Sequence, residues 1–366
     1  MTKKEMMFDA FFKAQGGIFP AEDPRFIQVK GFMKTGIPYL EPQYPNVSDI
    51  NVDIIRNIGL NAVAGKDKEG FYLGINIGSY FLIVDMFNKL MATKSVEVTI
   101  GDVSLETDEK KVLNAILENG TIAYDLGNSA NLFASKDPIR QDFARYYTTL
   151  VINFLIFHEL GHIVRGHVGY CANRFNYSTL NEVQNADSKL DPLMSRTFEM
   201  DADSFAVNHA FIIGMNRIAN TDTLHFPEAL IFKDEATFLS KFIFATYCLF
   251  KLFEFEDFNP GTVQNLSHPP PSVRVSMIVN NIIVLLNHHK IKNIDYITDR
   301  MRNSIVEAEK AFSEIRYVKN NTSEVFFSNH VKAVSYIKQI TENWNNVRPL
   351  LEPYAFGDLP PLVTFA

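Results

Sequence analysis

Cysteine is scarce in this sequence of 366 residues, which contains only Cys171 and Cys248. Two cysteines cannot build a disulfide framework, and they cannot supply a cysteine-based zinc site. No block of basic residues stands out, and the formal net charge is −7. This charge balance argues against a nucleic-acid-binding surface. We therefore predict no nucleic-acid partner.

Long apolar runs are also missing. No stretch reaches the roughly 18 uncharged apolar residues that a membrane helix needs. The most apolar stretch, 242–250, is bounded by Lys241 and Lys251, and the stretch 278–287 is interrupted by two asparagines. The first residues carry two lysines but no apolar run, so they do not have the pattern of a signal peptide. We predict a soluble, cytoplasmic protein without an integral membrane segment.

The composition is that of a folded globular protein. Hydrophobic residues make up 46% of the chain and charged residues 21%, which favours a sizeable core and argues against global disorder. We predict an N-terminal arm over 1–50, a main domain over 51–290 and a helical C-terminal extension over 291–366. The fold class that we predict is α+β, mainly α-helical, with a small β-sheet that includes an edge hairpin.

The predicted elements follow from hydrophobic periodicity and turn signals. Two strands, 60–65 and 71–76, flank a charged turn and predict the hairpin. The other predicted elements are a helix over 79–91, a strand over 96–105, a helix from Thr107 to Gly120, a loop over 168–191, a helix over 192–215, and two amphipathic C-terminal helices that begin near Ile294 and Phe327. The loop 168–191 is long and polar, and we expect it to act as a lid or a self-inhibitory flap.

One predicted helix differs from the others because it is apolar on almost every side. Asp137 and Pro138 are a favourable helix start, with a capping residue followed by proline in the first turn. The helical pattern continues to about Arg165. A helix that is apolar all round is buried, and polar groups within a buried helix need partners.

The buried helix carries the motif His158-Glu159-Leu160-Gly161-His162. Residues four apart lie on the same helix face, so both imidazoles can reach one zinc ion at about 2.0–2.1 Å each. Glu159 is rotated by about 100° from His158. It would stand beside the metal, where a carboxylate can act as general base. A pair of satisfied core histidines is the alternative interpretation.

A catalytic zinc needs a third protein ligand and an open position for water. Glu199 and Asp203 are four residues apart on the next predicted helix, so they share a face. One carboxylate can bind the metal while the other accepts the N–H of a ligand histidine such as His158. We favour Glu199 as the ligand, and we expect Arg196 to orient or neutralise a carboxylate.

Other third ligands remain open at this point. Asp201 and Asp203 carry suitable oxygens. His167 lies nine residues after His158, on the opposite side of a continuous helix, and could ligate only if the chain turns at Gly166. We therefore expect His167 to support the ligands or the structure.

Four segments together resemble the gluzincin zinc metallopeptidases, the group that includes the CAAX prenyl proteases and the HtpX-type proteases. In chain order they are 61–65 (Asn-Ala-Val-Ala-Gly), the zinc-helix motif 158–162, the segment 195–206 around Glu199, and Ser267-His268-Pro269 with Arg274. They span about residues 55–280. The membrane helices of many relatives are missing, and the segment between the first two motifs is long. The spacing from His158 to His167 is also similar to that of the Lit-type phage-exclusion proteases.

The resemblance implies a zincin-like catalytic domain and roles for several residues. Glu199 would be the third ligand, and Asp203 the partner of a ligand histidine. Asn61 would line the edge strand against which a peptide substrate lies. His268 would approach the oxyanion, or occupy the open zinc position in a resting form. The expected function is hydrolysis of a protein or peptide substrate. The alternative is a catalytically silent zinc-binding protein that acts as an interaction or regulatory module.

Overall fold

The protein is described here from a computed structural model that covers residues 1–19, 30–31, 36–118, 121–128, 133–181, 190–254, 263–316 and 331–363. Within these residues the fold is mainly α-helical with a small mixed sheet, which confirms the α+β, mainly α class. The helices of the described part are α1 (Lys3–Phe11), α2 (Ile77–Met91), α3 (Pro138–Val164), α4 (His167–Phe175), α5 (Pro192–Ala219), α6 (Glu228–Ile231), α7 (Glu235–Phe253), α8 (Pro271–His288), α9 (Ile294–Arg316) and α10 (Val331–Leu351).

Four strands form the mixed sheet, and two more form a separate hairpin. The strands are β1 (Asn51–Ile55), β2 (Ala62–Lys66), β3 (Phe71–Asn76), β4 (Ala115–Glu118), β5 (Thr121–Tyr124) and β6 (Thr179–Asn181). The sheet order is β1-β3-β2-β6, with β1 parallel to β3 and the other two pairs antiparallel. The predicted hairpin 60–65/71–76 is therefore confirmed as β2–β3. Its β2 strand is not at the outer edge, because β6 pairs with residues 63–65.

Helix α3 lies at the centre of the fold. Asp137 caps it by accepting a hydrogen bond from the Arg140 N–H, with Pro138 in the first turn, as the sequence predicted. The helix packs against α2, α5, α7 and strand β2. Seventeen of its 27 residues are buried, including every residue from Val151 to Val164 except Asn153. This helix is apolar on almost every side because other elements pack against it on several sides.

Two helices are long and apolar enough to cross a membrane by length and composition alone. They are α3 and α7. In both, 78% of the most apolar stretch is buried inside the protein. Such burial is typical of the core helices of a soluble protein.

The segment after α2 does not form the predicted strand 96–105. Its backbone wraps around the side chain of Arg140, which is fully buried. The guanidinium donates hydrogen bonds of 2.7–3.1 Å to five carbonyl oxygens, those of Met91, Thr93, Val96, Glu97 and Ile100. A strand would need these carbonyls for a ladder, so the side chain and the strand exclude each other.

The predicted helix from Thr107 to Gly120 is also wrong. Residues 107–114 have no regular structure, and β4 follows at Ala115. The backbone N–H of Leu113 donates to Ile315 on α9, and that of Asn114 donates to the buried carboxylate of Asp85. Partners distant in the sequence therefore satisfy this backbone in an extended conformation.

The described C-terminal segments are helical over Ile294–Arg316 and Val331–Leu351. Helix α9 packs along α7, and α10 packs along α5. The start predicted near Phe327 lies outside the described residues. After α10 the chain returns to the end of α3, where the Phe356 N–H donates to the Val164 carbonyl and Arg165 donates to the Asp358 carbonyl. The C-terminal segment thereby covers the end of α3.

His209 on α5 predicts a pH dependence of stability. It is buried between the rings of Phe157 and Phe205, and burial, aided by the charge of Arg165, lowers its pKa to about 4. The unfolded chain binds this proton near pH 6.5. The neutral form of His209 therefore stabilises the fold fully above pH 6.5. As the pH falls towards 4, the free energy of unfolding decreases by up to about 3 kcal/mol.

Urea unfolding of the metal-free protein at pH 7 and at pH 4.5 measures this loss. We expect His209→Phe to lose less stability over this interval than the parent chain does. His225→Gln, at an exposed histidine, is the control and should keep the parent's pH dependence. Equal pH dependence in the parent and in His209→Phe would contradict the assignment.

Candidate metal centre

Helix α3 places two imidazoles one above the other, as the spacing predicted. His158 and His162 are both buried, and their Nε2 atoms lie 3.1 Å apart. The helix continues to Val164 without interruption. The two histidines therefore direct their Nε2 atoms to one point.

Helix α5 approaches α3 closely because Gly161 lies between the two histidines. A Cβ at Gly161 would lie 3.2 Å from the Phe205 Cβ and 3.3 Å from the Ala202 Cα, which is too tight for most contacts. This approach brings Glu199 to the histidines, with distances of 3.4 Å to His158 Nε2 and 3.5 Å to His162 Nε2. The glycine in the motif thus sets the helix–helix distance on which the site depends.

One donor atom from each of His158, His162 and Glu199 lies within 4.8 Å of the other two. The Glu199 Oε2 atom is buried and makes no hydrogen bond of good geometry within the described part of the chain. A buried carboxylate oxygen beside two imidazole nitrogens is an arrangement that a cation satisfies. The set fits a divalent metal that accepts nitrogen and oxygen ligands, such as zinc.

Glu199 is ionised in this environment. Burial alone would raise its pKa, but the charges of His268 and His162 and the contacts of His158 and His268 hold the pKa well below its usual range. An ionised carboxylate is the form that binds a metal.

Asp203 lies where the sequence predicted a partner for a ligand histidine. Its Oδ1 is 2.9 Å from His158 Nδ1. Arg274 donates to both oxygens of Asp203, from Nε at 2.9 Å and from Nη2 at 2.8 Å, and its Nη2 lies 3.7 Å from Glu199. Arg274 therefore pairs with Asp203 and offsets part of the negative charge of the two carboxylates. The only signal of this residue in the sequence was its position six residues after His268.

Within the described residues, Arg196 does not contact the carboxylate that we predicted for it. Its Nη1 donates to the carbonyls of Gln264 and Leu266, and its guanidinium lies 5.0 Å from the ring centre of Tyr336. These carbonyls belong to the loop that leads to His268. Arg196 therefore holds this loop, and Arg274 takes the position next to the carboxylates.

His268 lies three residues before the start of α8, and its side chain is next to the centre. Its Nε2 is 3.4 Å from Glu199 Oε1, and its Nδ1 is 3.1 Å from the Ser267 hydroxyl. It does not belong to the group of donor atoms that lie within 4.8 Å of one another, which among the described residues contains three side chains. His268 thus borders the centre beside Glu199.

His167 is brought next to His162 by a turn that the helical pattern did not reveal. Gly166 has a φ of +86°, and α4 begins at His167. The Nδ1 atoms of His162 and His167 lie 3.0 Å apart, and His167 Nε2 is 3.2 Å from Asp201 Oδ2. Burial lowers the pKa of His167 despite the nearby Asp201 carboxylate. Of the other candidate ligands, Asp201 and Asp203 each face a histidine nitrogen.

Glu159 lies on the helix predicted for it, whereas Asn61 lies just outside the strand on which we predicted it. Glu159 is 1% exposed and follows His158 on α3. Asn61 immediately precedes β2, and its side-chain amide donates to the Asn181 side chain of β6 over 3.2 Å. The predicted loop 168–191 was wrong in part, because it contains α4 and β6, while residues 182–189 lie outside the described part. Strand β6 now occupies the edge that we assigned to the Asn61 strand.

Comparison of the chain with protein-family models, with curated proteins and with solved structures finds no match. The chemistry of the centre therefore has to be inferred from its own geometry.

Proposed function

We propose that this chain is a zinc-dependent endopeptidase with a zincin-like catalytic domain, in which His158, His162 and Glu199 hold the metal. The observation that carries the proposal is the convergence of these three buried donors from α3 and α5. Two imidazoles and one carboxylate are the ligand set of thermolysin-type catalytic zinc sites. The four segments that resemble gluzincins support the same assignment.

The number of donors favours a catalytic over a structural centre. Structural zinc sites are closed by a fourth protein ligand, whereas catalytic sites keep a position for water. Among the described residues, three side chains share the donor group. His167 contacts the nitrogen of His162 that faces away from His158, so it does not supply a fourth donor. A catalytically silent zinc-binding module is the alternative function, and His268, which lies 3.4 Å from Glu199, would then supply the fourth ligand.

Zinc, when bound, would supply Lewis acidity that activates a water and polarises the scissile carbonyl. Glu159 takes the proton of the attacking water and later delivers it to the leaving amine nitrogen. Its burial in an apolar helix keeps bulk water away from this carboxylate. His268, which borders Glu199, donates a hydrogen bond to the substrate carbonyl oxygen as negative charge develops on it.

The substrate that we propose is an extended peptide or protein segment. Such a segment can add to a sheet through main-chain hydrogen bonds. Strand β6 pairs with Val63, Ala64 and Gly65 of β2. We therefore propose that a substrate peptide adds to β6, on the side of the sheet where Asn61 lies. We propose a cytoplasmic location. The two buried cysteines form no disulfide, as is usual in a reducing compartment.

Removal of the metal tests the proposed function. The purified chain should contain about one zinc per molecule by elemental analysis, and it should cleave casein or a peptide library. A chelator should abolish cleavage, and added zinc should restore it. Zinc that is bound without any cleavage of a broad peptide library would favour the silent zinc-binding module. A chain that takes up no metal would contradict both functions.

A further inference from the structure

The turn at Gly166 folds His167 back on the last turn of α3. The positive φ of Gly166 suits glycine, and a Cβ there would also meet the Ala355 nitrogen at 2.8 Å and the Leu351 carbonyl oxygen at 2.9 Å. The side chain of His167 is fully buried. The position of this histidine is therefore determined by the backbone and by the C-terminal segment.

The contacts of the two His167 nitrogens allow one arrangement of protons. A neutral imidazole has one N–H donor and one acceptor nitrogen. If His162 offers Nε2 to a metal, its proton is on Nδ1, which lies 3.0 Å from His167 Nδ1. His167 must then accept with Nδ1 and carry its own proton on Nε2, which lies 3.2 Å from Asp201 Oδ2.

The ring of His167 is held in one plane. It stacks on Phe198 with a centroid distance of 4.4 Å and an interplanar angle of 6°. Asp201 is 3% exposed, and the Arg165 Nε lies 3.8 Å from its Oδ2. Phe198 and Asp201 flank Glu199 on α5. One helix therefore supplies a donor of the centre and also fixes the histidine behind another donor.

We propose that His167, oriented by Asp201, is a positioning residue that fixes the tautomer and the ring plane of His162. It would do for His162 what Asp203 does for His158 across the 2.9 Å contact. Hydrogen-bond partners behind metal-binding histidines raise metal affinity by about 10–100-fold. This inference rests on the proposed function, because it requires that the centre binds zinc.

The test compares His167→Phe with His167→Gln. Phenylalanine keeps an aromatic ring against Phe198 but has no nitrogen. Glutamine can accept from the His162 Nδ1–H with its oxygen and donate to Asp201 with its amide. Competition with a chelating dye measures zinc affinity. We expect a loss of about 10–100-fold in His167→Phe and recovery to within about fivefold of the parent in His167→Gln.

The same substitution at His209 is the matched control. His209 is buried between rings on α3 and α5 but has no contact with a donor of the centre. His209→Phe should keep the zinc affinity of the parent, and thermal unfolding of the metal-free proteins shows whether either variant has lost its fold. If His167→Phe does not fold, Asp201→Ala takes its place, with an expected loss of at least about threefold.

The possible outcomes separate this inference from the proposed function. A parent chain without zinc affinity would overturn both. Zinc affinity in the parent that is unchanged in His167→Phe, or in Asp201→Ala when that variant is used, would overturn only the role of His167. Equal losses in His167→Phe and His167→Gln would also overturn it, because the loss would then not depend on hydrogen bonding.

Discussion

Replacing Glu159 with glutamine is expected to leave zinc bound and to lower peptide turnover by about 10²–10⁴-fold. The amide keeps the size and the polar contacts of the side chain, but it cannot take a proton from water. Glu159 is not one of the three donors of the centre, so metal affinity should remain within a few-fold of the parent. Elemental analysis and cleavage of a quenched peptide measure the two effects separately.

A second buried glutamate provides the control for this substitution. Glu309 on α9 accepts a hydrogen bond from the Tyr247 hydroxyl over 2.9 Å and has no part in the centre. Glu309→Gln should keep full turnover at a temperature where the protein is folded. Undiminished cleavage by zinc-loaded Glu159→Gln would refute the general-base role while leaving the metal site intact.

Replacing Glu199 with alanine is expected to lower zinc affinity by more than about 100-fold, beyond the 10–100-fold loss that removal of a ligand's hydrogen-bond partner causes. The substitution removes the only negatively charged donor of the three. Two imidazoles on one helix cannot complete a three-ligand site. Cleavage should be lost in parallel, and zinc at high concentration should not restore it fully.

Titration with a competing chelator measures this loss of affinity. Glu309→Gln is again the control and should bind zinc as the parent does. Far-ultraviolet circular dichroism of the metal-free Glu199→Ala protein should match that of the parent, because α5 packs on α3 through Phe205 and Ala202 rather than through the carboxylate. Unchanged zinc affinity in Glu199→Ala would assign the third ligand to another residue.

Local patterns predicted the helices and the hairpin well where the pattern was strong. The capped start of α3 and the hairpin β2–β3 are present as expected, and so are α2 and α5 within a few residues of the predicted limits. In each, the hydrophobic period and the end signals agree with the burial. The strand at 96–105 and the helix at 107–120 failed because Arg140 and Asp85 bind their backbone groups from elsewhere in the fold.

The predictions for the candidate site also succeeded where the pattern is local and failed where it is not. The pairing of His158 with Asp203 was predicted because both motifs lie on helices with a known period, and the distance of 2.9 Å agrees with it. The partner predicted for Arg196 was wrong. An arginine side chain can reach several neighbours, and the loop that packs against it determines which of them it contacts. Arg274 took the position beside the carboxylates from a third helix.

The sequence by itself determined that His158 and His162 share one face of a buried helix, because a helix of 3.6 residues per turn is a local structure. It also determined that Glu199 and Asp203 share a face of another helix. Only the tertiary structure decided that these two faces meet, through the close packing at Gly161. It likewise decided that Gly166 returns His167 to His162 and that β6 covers β2. Such contacts depend on the packing of distant segments, which no local period encodes.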